Sequence, residues 1–404
     1  MLTAAETTAV EPLDGEGAAI LARVEAWASI NSGSDNLAGL ALQAEAVASV
    51  FAPLGGEAEL VEGPRSQMVR STGEIAATTH GRHYRHIVRP HAPVQVLLTG
   101  HMDTVYGAGH PFQSTRFDAP RHLNGPGVAD MKGGIAIMLA ALHAIERTPI
   151  AERLGYTVLI VADEEIGSPS SRALLAEAAA KAHWGLTYEP SSLPDGTFAG
   201  ARWGSGNFAA IVTGRAAHAG RDPENGRNAL TAAADLALRL ERLIGADLRV
   251  NPAKIDGGGP TNVVPNNAVL RFNIRPRSLE AQAQAEAAVA RVIAAVTAER
   301  EVAIQLTGNF GRPPKPLDAT QQRLFDIVGS AARDLGQHYA TRETGGVCDG
   351  NNLAAHGLSV VDTLGARGGL IHSDREYLLT DSLVERARLS ALILHRLAHT
   401  ELGA

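Results

Sequence analysis

Histidine and acidic side chains follow three apolar segments that are predicted to be β-strands. His101 comes soon after the first segment, Glu165 follows the second and Glu189 follows the third. Open α/β sheets bind their ligands at the carboxyl ends of the strands, so we expect these three side chains to lie at one edge of a sheet. Asp130 lies in a glycine-rich loop just before a predicted helix, a position that can reach the same edge.

Such a group of acidic residues needs a positive charge nearby, because carboxylates at short range raise each other's pKa. A divalent metal ion supplies this charge, and a mixture of imidazole and carboxylate ligands favours zinc. Two metal ions about 3.5–4 Å apart need a carboxylate that bridges them, and Asp130 is the natural candidate. The sequence therefore predicts two Zn²⁺ ions, with Co²⁺ or Mn²⁺ as alternatives for the same ligands.

Each of these signals also has an ordinary structural interpretation when it is taken alone. A histidine two residues before an aspartate, as in His101 and Asp103, is a weak pattern. The Glu164-Glu165 pair suits a solvated turn, and Asp130 could cap the helix that follows it. Their combination at the ends of neighbouring predicted strands favours a metal site over a solvated surface.

Alternating strand and helix signals predict the framework that holds these residues. The predicted strands of this part are Val94–Leu98, Tyr156–Val161 and Trp184–Tyr188, and the predicted helices are Leu37–Phe51, Gly134–Ile145 and Ser171–Ala182. This alternation predicts an α/β fold, with a mixed sheet flanked by helices on both faces.

A second block of strands and helices interrupts this pattern. Its predicted strands are Phe208–Thr213, Val269–Ile274 and Val302–Leu306, and its predicted helices are Asn228–Leu243 and Leu279–Ala298. The glycine-rich Gly200–Gly206 and the proline-rich Gly311–Pro316 are predicted linkers. We therefore predict a catalytic domain of residues 1–203 and 314–404, which ends in a helix at Asp381–Leu402. Residues 204–313 would form an inserted α+β, ferredoxin-like domain.

Length and composition limit the classes of protein to consider. A chain of 404 residues is too long for one ordinary core and is expected to form two domains. The net charge of -7, without a basic run, argues against a nucleic-acid partner. The N-terminus has no basic region typical of a signal peptide, and no stretch reads as long enough to cross a membrane. Cys348 is the only cysteine, so we expect a cytoplasmic protein without a disulfide.

Five ordered motifs resemble those of a known family of zinc metallopeptidases. They are Gly100–Val105, Asn124–Gly134, Asp163–Ser168, Glu189–Pro190 and Gly368–Ser373. That family includes glutamate carboxypeptidase, aminoacylase, acetylornithine deacetylase and succinyl-diaminopimelate desuccinylase. The resemblance covers nearly the whole chain and implies a zinc-aminopeptidase-like catalytic domain with an inserted dimerisation (lid) domain.

The resemblance assigns metal-ligand roles residue by residue. His101 and Glu189 look like ligands of one metal, and Glu165 and His372 look like ligands of the other. Asp130 matches the acid that bridges both metals, and relatives often have a cis peptide bond after it. His372 is assigned as a ligand only through the resemblance, because a single histidine far along the sequence from the other candidates indicates no function by itself.

Further catalytic roles follow from the same comparison of motifs. Asp103 looks like the acid that fixes the His101 ring, and Glu164 looks like the general base. His218 resembles the helper histidine that reaches the active site of the partner subunit in related homodimers. The resemblance therefore implies a homodimer in which His218 stabilises the oxyanion.

Three polar residues match positions that contact substrate in relatives. These are Asn262, Arg275 and Arg312, where the family places substrate-binding groups and carboxylate recognition. For Arg275, an ordinary arginine at a strand edge is the alternative interpretation. Cys348 stands where many relatives have serine, and we interpret it as a small buried residue instead of a nucleophile.

The predicted function is hydrolysis of an amide bond next to a carboxylate-bearing amino acid. One interpretation is a carboxypeptidase that releases a C-terminal amino acid from a peptide or N-acyl conjugate. Another is an aminoacylase or deacetylase that acts on N-acyl amino acids with the same site. A non-catalytic relative that only binds amino acids is the alternative of another class. A nucleotide-binding protein lacks support, because Gly107-Ala108-Gly109 has no third glycine of the dinucleotide motif.

Overall fold

The structure is a computed structural model that describes residues 1–400. In chain order, its α-helices are α1 (Ala4–Val10), α2 (Gly17–Ala28), α3 (Leu37–Phe51), α4 (Gly133–Glu146), α5 (Arg172–Ala179), α6 (Ala229–Glu241), α7 (Leu279–Arg300), α8 (Ala319–Asp334), α9 (Asp349–Ala355) and α10 (Ser382–Leu397). The prediction for α3 is confirmed at both ends. The predicted last helix ends earlier than expected, and positions 401 and 402 of that prediction lie outside the described residues.

In the described residues, the β-strands form one six-stranded sheet, two four-stranded sheets and two two-stranded sheets. In chain order they are β1 (Glu57–Val61), β2 (Ser66–Val69), β3 (Ile75–Thr78), β4 (His83–Val88), β5 (Val94–His101), β6 (Arg116–Ala119), β7 (His122–Asn124), β8 (Leu154–Val161), β9 (Trp184–Thr187), β10 (Phe198–Arg202), β11 (Ser205–Thr213), β12 (Leu248–Gly257), β13 (Asn267–Pro276), β14 (Ala303–Arg312), β15 (Thr341–Thr344), β16 (Ser359–Val361), β17 (Gly368–Gly369) and β18 (Tyr377–Leu379).

The central sheet is mixed, in the order β1-β4-β8-β5-β9-β16. Strands β8, β5, β9 and β16 run parallel to one another, and β4 and β1 continue the sheet antiparallel. Val96 of β5 pairs with Tyr156 on one side and Trp184 on the other. The predicted adjacency of the three ligand-bearing strands is confirmed, so their carboxyl ends share one edge.

Helices cover both faces of this sheet, which explains why its central strands are almost continuously apolar. Val96 and Leu98 of β5 belong to the large core formed with α4 and α10. Leu97 points to the opposite face, where it packs in the core that includes Leu175 of α5 and Leu353 of α9. The predicted fold class, an α/β sheet flanked by helices, is confirmed.

A close approach of backbones sets the start of α4 against the end of β9. A Cβ atom on Gly134 would lie 2.0 Å from the carbonyl oxygen of Tyr188. No side chain fits at that distance, so glycine is required where the helix passes this strand end. The loop that carries Asp130 comes directly before this helix, and its position follows from that packing.

The segment between β11 and β14 forms an antiparallel sheet of its own, in the order β12-β13-β11-β14. Its elements follow the order β-α-β-β-α-β, which is that of a ferredoxin-like unit. Helices α6 and α7 pack on one face through Leu236 and Val289, which meet Val212 and Leu270 in a separate core. The exact domain boundaries, at 203/204 and 313/314, stay a prediction.

The first predicted linker, Gly200–Gly206, is largely wrong, because five of its seven residues belong to strands, whereas only Gly311 and Arg312 of the second, Gly311–Pro316, belong to a strand. β10 pairs with β15, and only Trp203 and Gly204 separate it from β11. Where the chain returns, Arg202 and Lys315 exchange backbone hydrogen bonds of 2.8 and 2.9 Å. A Cβ on Gly204 would lie 2.8 Å from Pro314. The glycine and proline residues therefore allow two backbone segments to pass close to each other, and they do not form a flexible linker.

Two segments are long and apolar enough to cross a membrane by length and composition, which corrects the expectation of none. They are Leu37–Leu54 and Val128–Glu146, each with a mean hydropathy of 1.5. The second is a core helix with 94% of its window buried inside the protein. Buried core helices pass the same test, so this observation is weak support for a membrane protein.

Candidate active site

The carboxyl ends of the parallel strands bring the predicted ligands together. β5 ends at His101, and Glu165 and Glu189 lie a few residues beyond the ends of β8 and β9. The Nε2 atom of His101 lies 3.1 Å from Oδ1 of Asp130 and 3.8 Å from Oε1 of Glu189. The three strand ends and the glycine-rich loop therefore meet at one point.

Asp130 lies between the two histidines of the site. Its Oδ1 faces His101, and its Oδ2 lies 3.3 Å from Nε2 of His372. The same His372 nitrogen lies 3.2 Å from Oε2 of Glu165. The peptide bond between Asp130 and Met131 is cis, which confirms that prediction. This arrangement suits a carboxylate that is shared between two ligand groups.

The Asp103 carboxylate anchors the turn that carries the two adjacent glutamates. Its Oδ1 accepts the backbone N–H of Glu164 and its Oδ2 that of Glu165, both at 3.1 Å. The hydroxyl of Ser34 donates to the same Oδ2 at 2.7 Å. The Nδ1 atom of His101 lies 2.9 Å from the backbone carbonyl oxygen of Asp103 and 3.4 Å from its carboxylate. Asp103 therefore orients the ring mainly through its main chain and the glutamate turn through its side chain.

Burial and mutual charge shift the protonation equilibria of the site strongly. Burial raises the pKa of Glu189 and of Glu165, and the nearby Asp130 raises both further. Burial disfavours ionised Asp130, but hydrogen bonds with His101 and His372 hold the pKa of its carboxyl well below the usual range. Hydrogen bonds to Asp130 and Glu165 raise the pKa of His372 to about 11. The acids of this site thus favour a neighbouring positive charge.

The residues present fit a divalent metal ion. Ligand atoms lie within 4.8 Å of one another in two groups, His101 with Asp130 and Glu165, and His101 with Glu164 and Glu189. Oε1 of Glu189 is buried without a hydrogen-bond partner among residues 1–400. Buried charges are normally paired or bound to a metal, and imidazole with carboxylate is a usual set of donors for such an ion.

Arg312 lies against Glu164 instead of projecting freely into solvent. Its Nη2 lies 2.7 Å from Oε1 of Glu164 and donates to the Glu164 carbonyl oxygen at 2.8 Å. The same nitrogen lies 3.0 Å from Oγ of Ser168 and 3.5 Å from Oδ1 of Asp349, and Ser168 donates to Asp349. Burial raises the pKa of Glu164 to about 8, although Arg312 opposes that shift.

A cavity of about 470 Å³ opens onto these groups between the central sheet and the inserted segment. Arg275, on β13, lines it and donates to the carbonyl oxygen of Gly345 at 2.6 Å and to Asn273 at 3.0 Å. Arg275 forms no ion pair within the described part of the chain. The structure therefore brings Arg275 and Arg312 together with the metal-ligand candidates.

His218 and Asn262 lie elsewhere, on the inserted segment. His218 forms an isolated bridge with Val263, next to Asn262, and both predicted site residues are exposed. Nδ1 of His218 accepts the backbone N–H of Arg221 at 3.0 Å, which leaves Nε2 as a donor. Neither residue belongs to the wall of the cavity described above.

Sequence reasoning missed Glu376, which holds the loop that carries Asp130. Its Oε1 accepts the backbone N–H groups of Ala129 and Asp130 at 3.0 and 3.1 Å. Tyr106 donates its hydroxyl to Oε2 at 2.9 Å. Burial raises the pKa of Glu376 to about 7. Its position four residues after His372 was the only signal, and that spacing carries no specific meaning.

A buried ionic cluster behind the cavity was also missed. Arg202 Nε lies 2.9 Å from Oδ2 of Asp362, and Lys315 Nζ lies 3.0 Å from the same oxygen. Burial raises the pKa of Asp362, but the two cations outweigh it and lower that pKa overall. Arg202 also donates to the Gly346 carbonyl oxygen at 3.0 Å, so the cluster supports one wall of the cavity.

Cys348 lies at the N-terminus of α9. Its Sγ accepts the backbone N–H of Gly350 at 3.3 Å, and its side chain is buried. Burial raises the pKa of its thiol well above the usual value, which disfavours the thiolate that a nucleophile requires.

Comparisons with known proteins agree with this arrangement. The model of "Peptidase family M20/M25/M40" matches residues 97–396. Carboxypeptidase G2 of Pseudomonas sp. (strain RS-16) is 32% identical over 308 residues, which cover 74% of this chain and 73% of the relative.

Solved structures support the fold. A tripeptidase from Staphylococcus aureus superposes with a TM-score of 0.74 at 20% identity, over 95% of this chain and 99% of that one. A dinuclear metal binding peptidase from Bacillus subtilis superposes with a TM-score of 0.66 at 14% identity, over 96% and 100%.

The matched segment includes every metal-ligand candidate, from His101 to His372. It also includes the inserted segment and the parallel strands β8, β9 and β16 of the central sheet, whereas β1 and β4 precede it. A hydrolytic family makes the non-catalytic alternative untenable. The chain belongs to peptidase family M20/M25/M40 and is a hydrolase of amide bonds.

Proposed function

We propose that this protein is a di-zinc carboxypeptidase that releases a C-terminal amino acid from peptides or N-acyl conjugates. The main support is the position of Asp130, whose two oxygens face two different histidines. The second support is Arg275, an arginine in the cavity wall without an acidic partner in the described residues. Carboxypeptidase G2 is a relative at 32% identity, which favours this activity over others of the family.

His101 and Glu189 would hold one ion, Glu165 and His372 would hold the other, and Asp130 would bridge them. Zinc is favoured by the donor types, and Co²⁺ or Mn²⁺ are the alternatives. Two such ions would supply Lewis acidity to the scissile carbonyl group and to a water nucleophile.

The protein's own groups move the proton and hold the substrate. Glu164 would take a proton from the nucleophilic water at a carboxylate oxygen and deliver it to the leaving amine nitrogen. Arg312 holds this carboxylate in place at 2.7 Å. Arg275 would bind the free carboxylate of the substrate through charge-assisted hydrogen bonds, with Arg312 as a further contact. Asn262 lies beside His218 and outside this cavity, so it would contact substrate only across the proposed dimer interface.

We also propose a homodimer in the cytoplasm, with His218 donating a hydrogen bond to the developing oxyanion in the partner subunit. Its exposed position outside its own subunit's cavity supports a role across an interface. No nucleic acid or membrane partner is expected. Analytical ultracentrifugation and cell fractionation would test the dimer and the location.

An aminoacylase or deacetylase that acts on N-acyl amino acids is the second candidate function, because it uses the same groups. The two are separated by a hydrolysis screen of N-benzoyl-glutamate, dipeptides and N-acetyl amino acids. Each substrate is offered to the Zn²⁺, Co²⁺ and Mn²⁺ forms, with and without chelator. Loss of all hydrolysis on chelation is expected, and hydrolysis that survives full metal removal would refute the proposal.

The role of Glu164 has its own test. The substitution Glu164→Ala should leave metal content intact while kcat falls at least about 10²-fold, since general acid–base catalysis contributes about 10²–10⁴-fold. Glu74→Ala, which changes an exposed glutamate, is the matched control. Wild-type turnover by the Glu164 variant with metal bound would show that the base is another group.

A further inference from the structure

A second cleft, of about 300 Å³, adjoins the cavity of the candidate active site. The two share four wall residues, Gly167, Ser205, Asn207 and Arg312. The cleft lies between the start of α5 and strands β11 and β14 of the inserted segment, with Gln67 of β2 at its far side. Any group bound there would lie next to the substrate in the main cavity.

Hydrogen-bond donors line this cleft, and no acidic residue does among the described residues. Besides Arg312 it holds Arg172 and the amide side chains of Gln67, Asn207 and Asn309. Oδ1 of Asn207 accepts a hydrogen bond from Asn273, which leaves its amide nitrogen as a donor. This composition favours an anion over a cation or an apolar group.

Arg172 lies at a position where the protein itself gives its positive charge little stabilisation. It is the first residue of α5, and the N-terminus of a helix carries a partial positive charge that repels cations. Burial and the neighbouring Arg312 lower the pKa of Arg172. Within residues 1–400, Arg172 forms no ion pair and its buried Nε has no partner. Its hydrogen bond to the Gly167 carbonyl oxygen is long, at 3.4 Å.

The neighbouring strand leaves room for this guanidinium group. A Cβ atom at Gly311 would lie 2.6 Å from Nη2 of Arg172. Any side chain at position 311 would therefore push the guanidinium aside. Arg172 therefore has no ion-pair partner in the described residues, and the glycine at position 311 leaves space beside its guanidinium group.

We propose that Arg172, with the amides of Asn207, Asn309 and Gln67, forms a subsite for a second carboxylate group of the substrate. This inference rests on the proposed function, in which Arg275 binds the first carboxylate. The second carboxylate has two sources: the side chain of a released acidic amino acid, or a dicarboxylic acyl group such as succinyl. Arg172 is then a specificity-determining residue that prefers carboxylate over the isosteric amide.

The test compares matched pairs of substrates that differ only in charge. N-benzoyl-glutamate is compared with N-benzoyl-glutamine, and N-succinyl-phenylalanine with its succinamide analogue. If the subsite exists, wild type prefers the carboxylate in at least one pair. Arg172→Gln should lower that kcat/KM ratio by about 10- to 100-fold, the equivalent of about 1.5–3 kcal/mol for hydrogen bonds to a charged group. The affected pair identifies the source of the carboxylate.

Two further variants separate recognition from a purely structural role. Arg172→Lys keeps the charge without the planar donors and should retain part of the selectivity. Arg116→Gln removes an exposed arginine of β6 and should leave the selectivity unchanged. Because Arg172 is unpaired at a helix N-terminus, the Tm of Arg172→Gln should equal or exceed that of wild type. A lower Tm with unchanged selectivity would overturn the proposal in favour of a structural role.

If no substrate is hydrolysed, the proposed function is rejected, but the subsite is not. The subsite is then tested by measuring ligand binding instead of turnover. Calorimetry would compare glutarate with its monoamide on the metal-loaded protein. Wild type should bind glutarate more tightly, and Arg172→Gln should lose that preference. An equal preference in both proteins, or no preference in wild type, would overturn the subsite.

Discussion

Asp103→Asn is the most informative single change at the site, because the Asp103 carboxylate holds Glu164 and Glu165 together by their backbones. In wild type each oxygen accepts one backbone N–H at 3.1 Å. Asparagine keeps the size of the side chain but replaces one acceptor oxygen by an NH₂ group. In either orientation of the amide, one buried N–H of the turn loses its acceptor. The backbone contact of residue 103 with His101 survives the change.

The expected magnitude follows from that one lost acceptor. A buried N–H without a partner costs about 1–3 kcal/mol. Without metal, the turn can shift and find another acceptor. In the proposed site, metal binding requires Glu165 in its original position, so part of this cost would then appear as weaker metal binding. A loss of about 1.4 kcal/mol of binding free energy raises the dissociation constant about tenfold. We therefore expect the affinity for zinc to fall by about 10- to 100-fold, the range typical of substitutions at residues that orient metal ligands.

The assay is a zinc titration against a competing chelator of known affinity, with kcat measured at saturating zinc. Ser34→Ala is the matched control, because it removes only the hydroxyl donor at 2.7 Å and leaves both backbone hydrogen bonds in place. Its zinc affinity should stay within a few-fold of wild type. An affinity of Asp103→Asn equal to that of wild type, at an unchanged Tm, would refute the reasoning.

Three further predictions concern stability, metal and assembly. Asp362→Asn leaves Arg202 and Lys315 buried without an anion, which should lower the free energy of unfolding by about 3–5 kcal/mol. Its control, Asp381→Asn, breaks an exposed ion pair and should lower the free energy of unfolding by only about 0–1 kcal/mol. Because the pKa of Asp362 is lowered in the folded state, the Tm gap between wild type and Asp362→Asn should be constant above about pH 5 and shrink as acid protonates this group. Chelation should lower Tm reversibly, since an ion at 100 times its Kd stabilises the native state by about 2.7 kcal/mol; an unchanged Tm would contradict a bound metal. His218→Ala should lower kcat without loss of metal, and mixing it with the general-base variant should restore part of the activity only if subunits exchange residues across a dimer.

The ligand candidates at strand ends could be predicted because their signals are local. The apolar runs before His101, Glu165 and Glu189 mark buried strands, and the geometry of parallel sheets brings their ends to one edge. This part of the site depends on secondary structure that a short stretch of sequence specifies.

Other parts of the site depend on tertiary contacts that no short pattern contains. His372 lies in a loop with a left-handed backbone, at φ 62°, and Glu376 follows it in the same loop. β4 was missed because its histidine and arginine residues interrupt the apolar run that marks a buried strand. His83 and His86 of that strand are buried, where His83 meets Ser170 at 3.0 Å and His86 meets the Gly55 carbonyl oxygen.

The order in which the ligand candidates emerge during synthesis follows from where they lie in the chain. A ribosome delivers His101, Asp130, Glu165 and Glu189 from the first half, but His372 only near the end. Domains fold from the N-terminus as the chain emerges, yet the central sheet also needs the late strand β16. A nascent or truncated chain therefore carries an acidic, incomplete half-site. In the proposed site, full metal loading would require synthesis of the segment that carries β16 and His372, so fragments that lack this segment should be inactive and metal-poor.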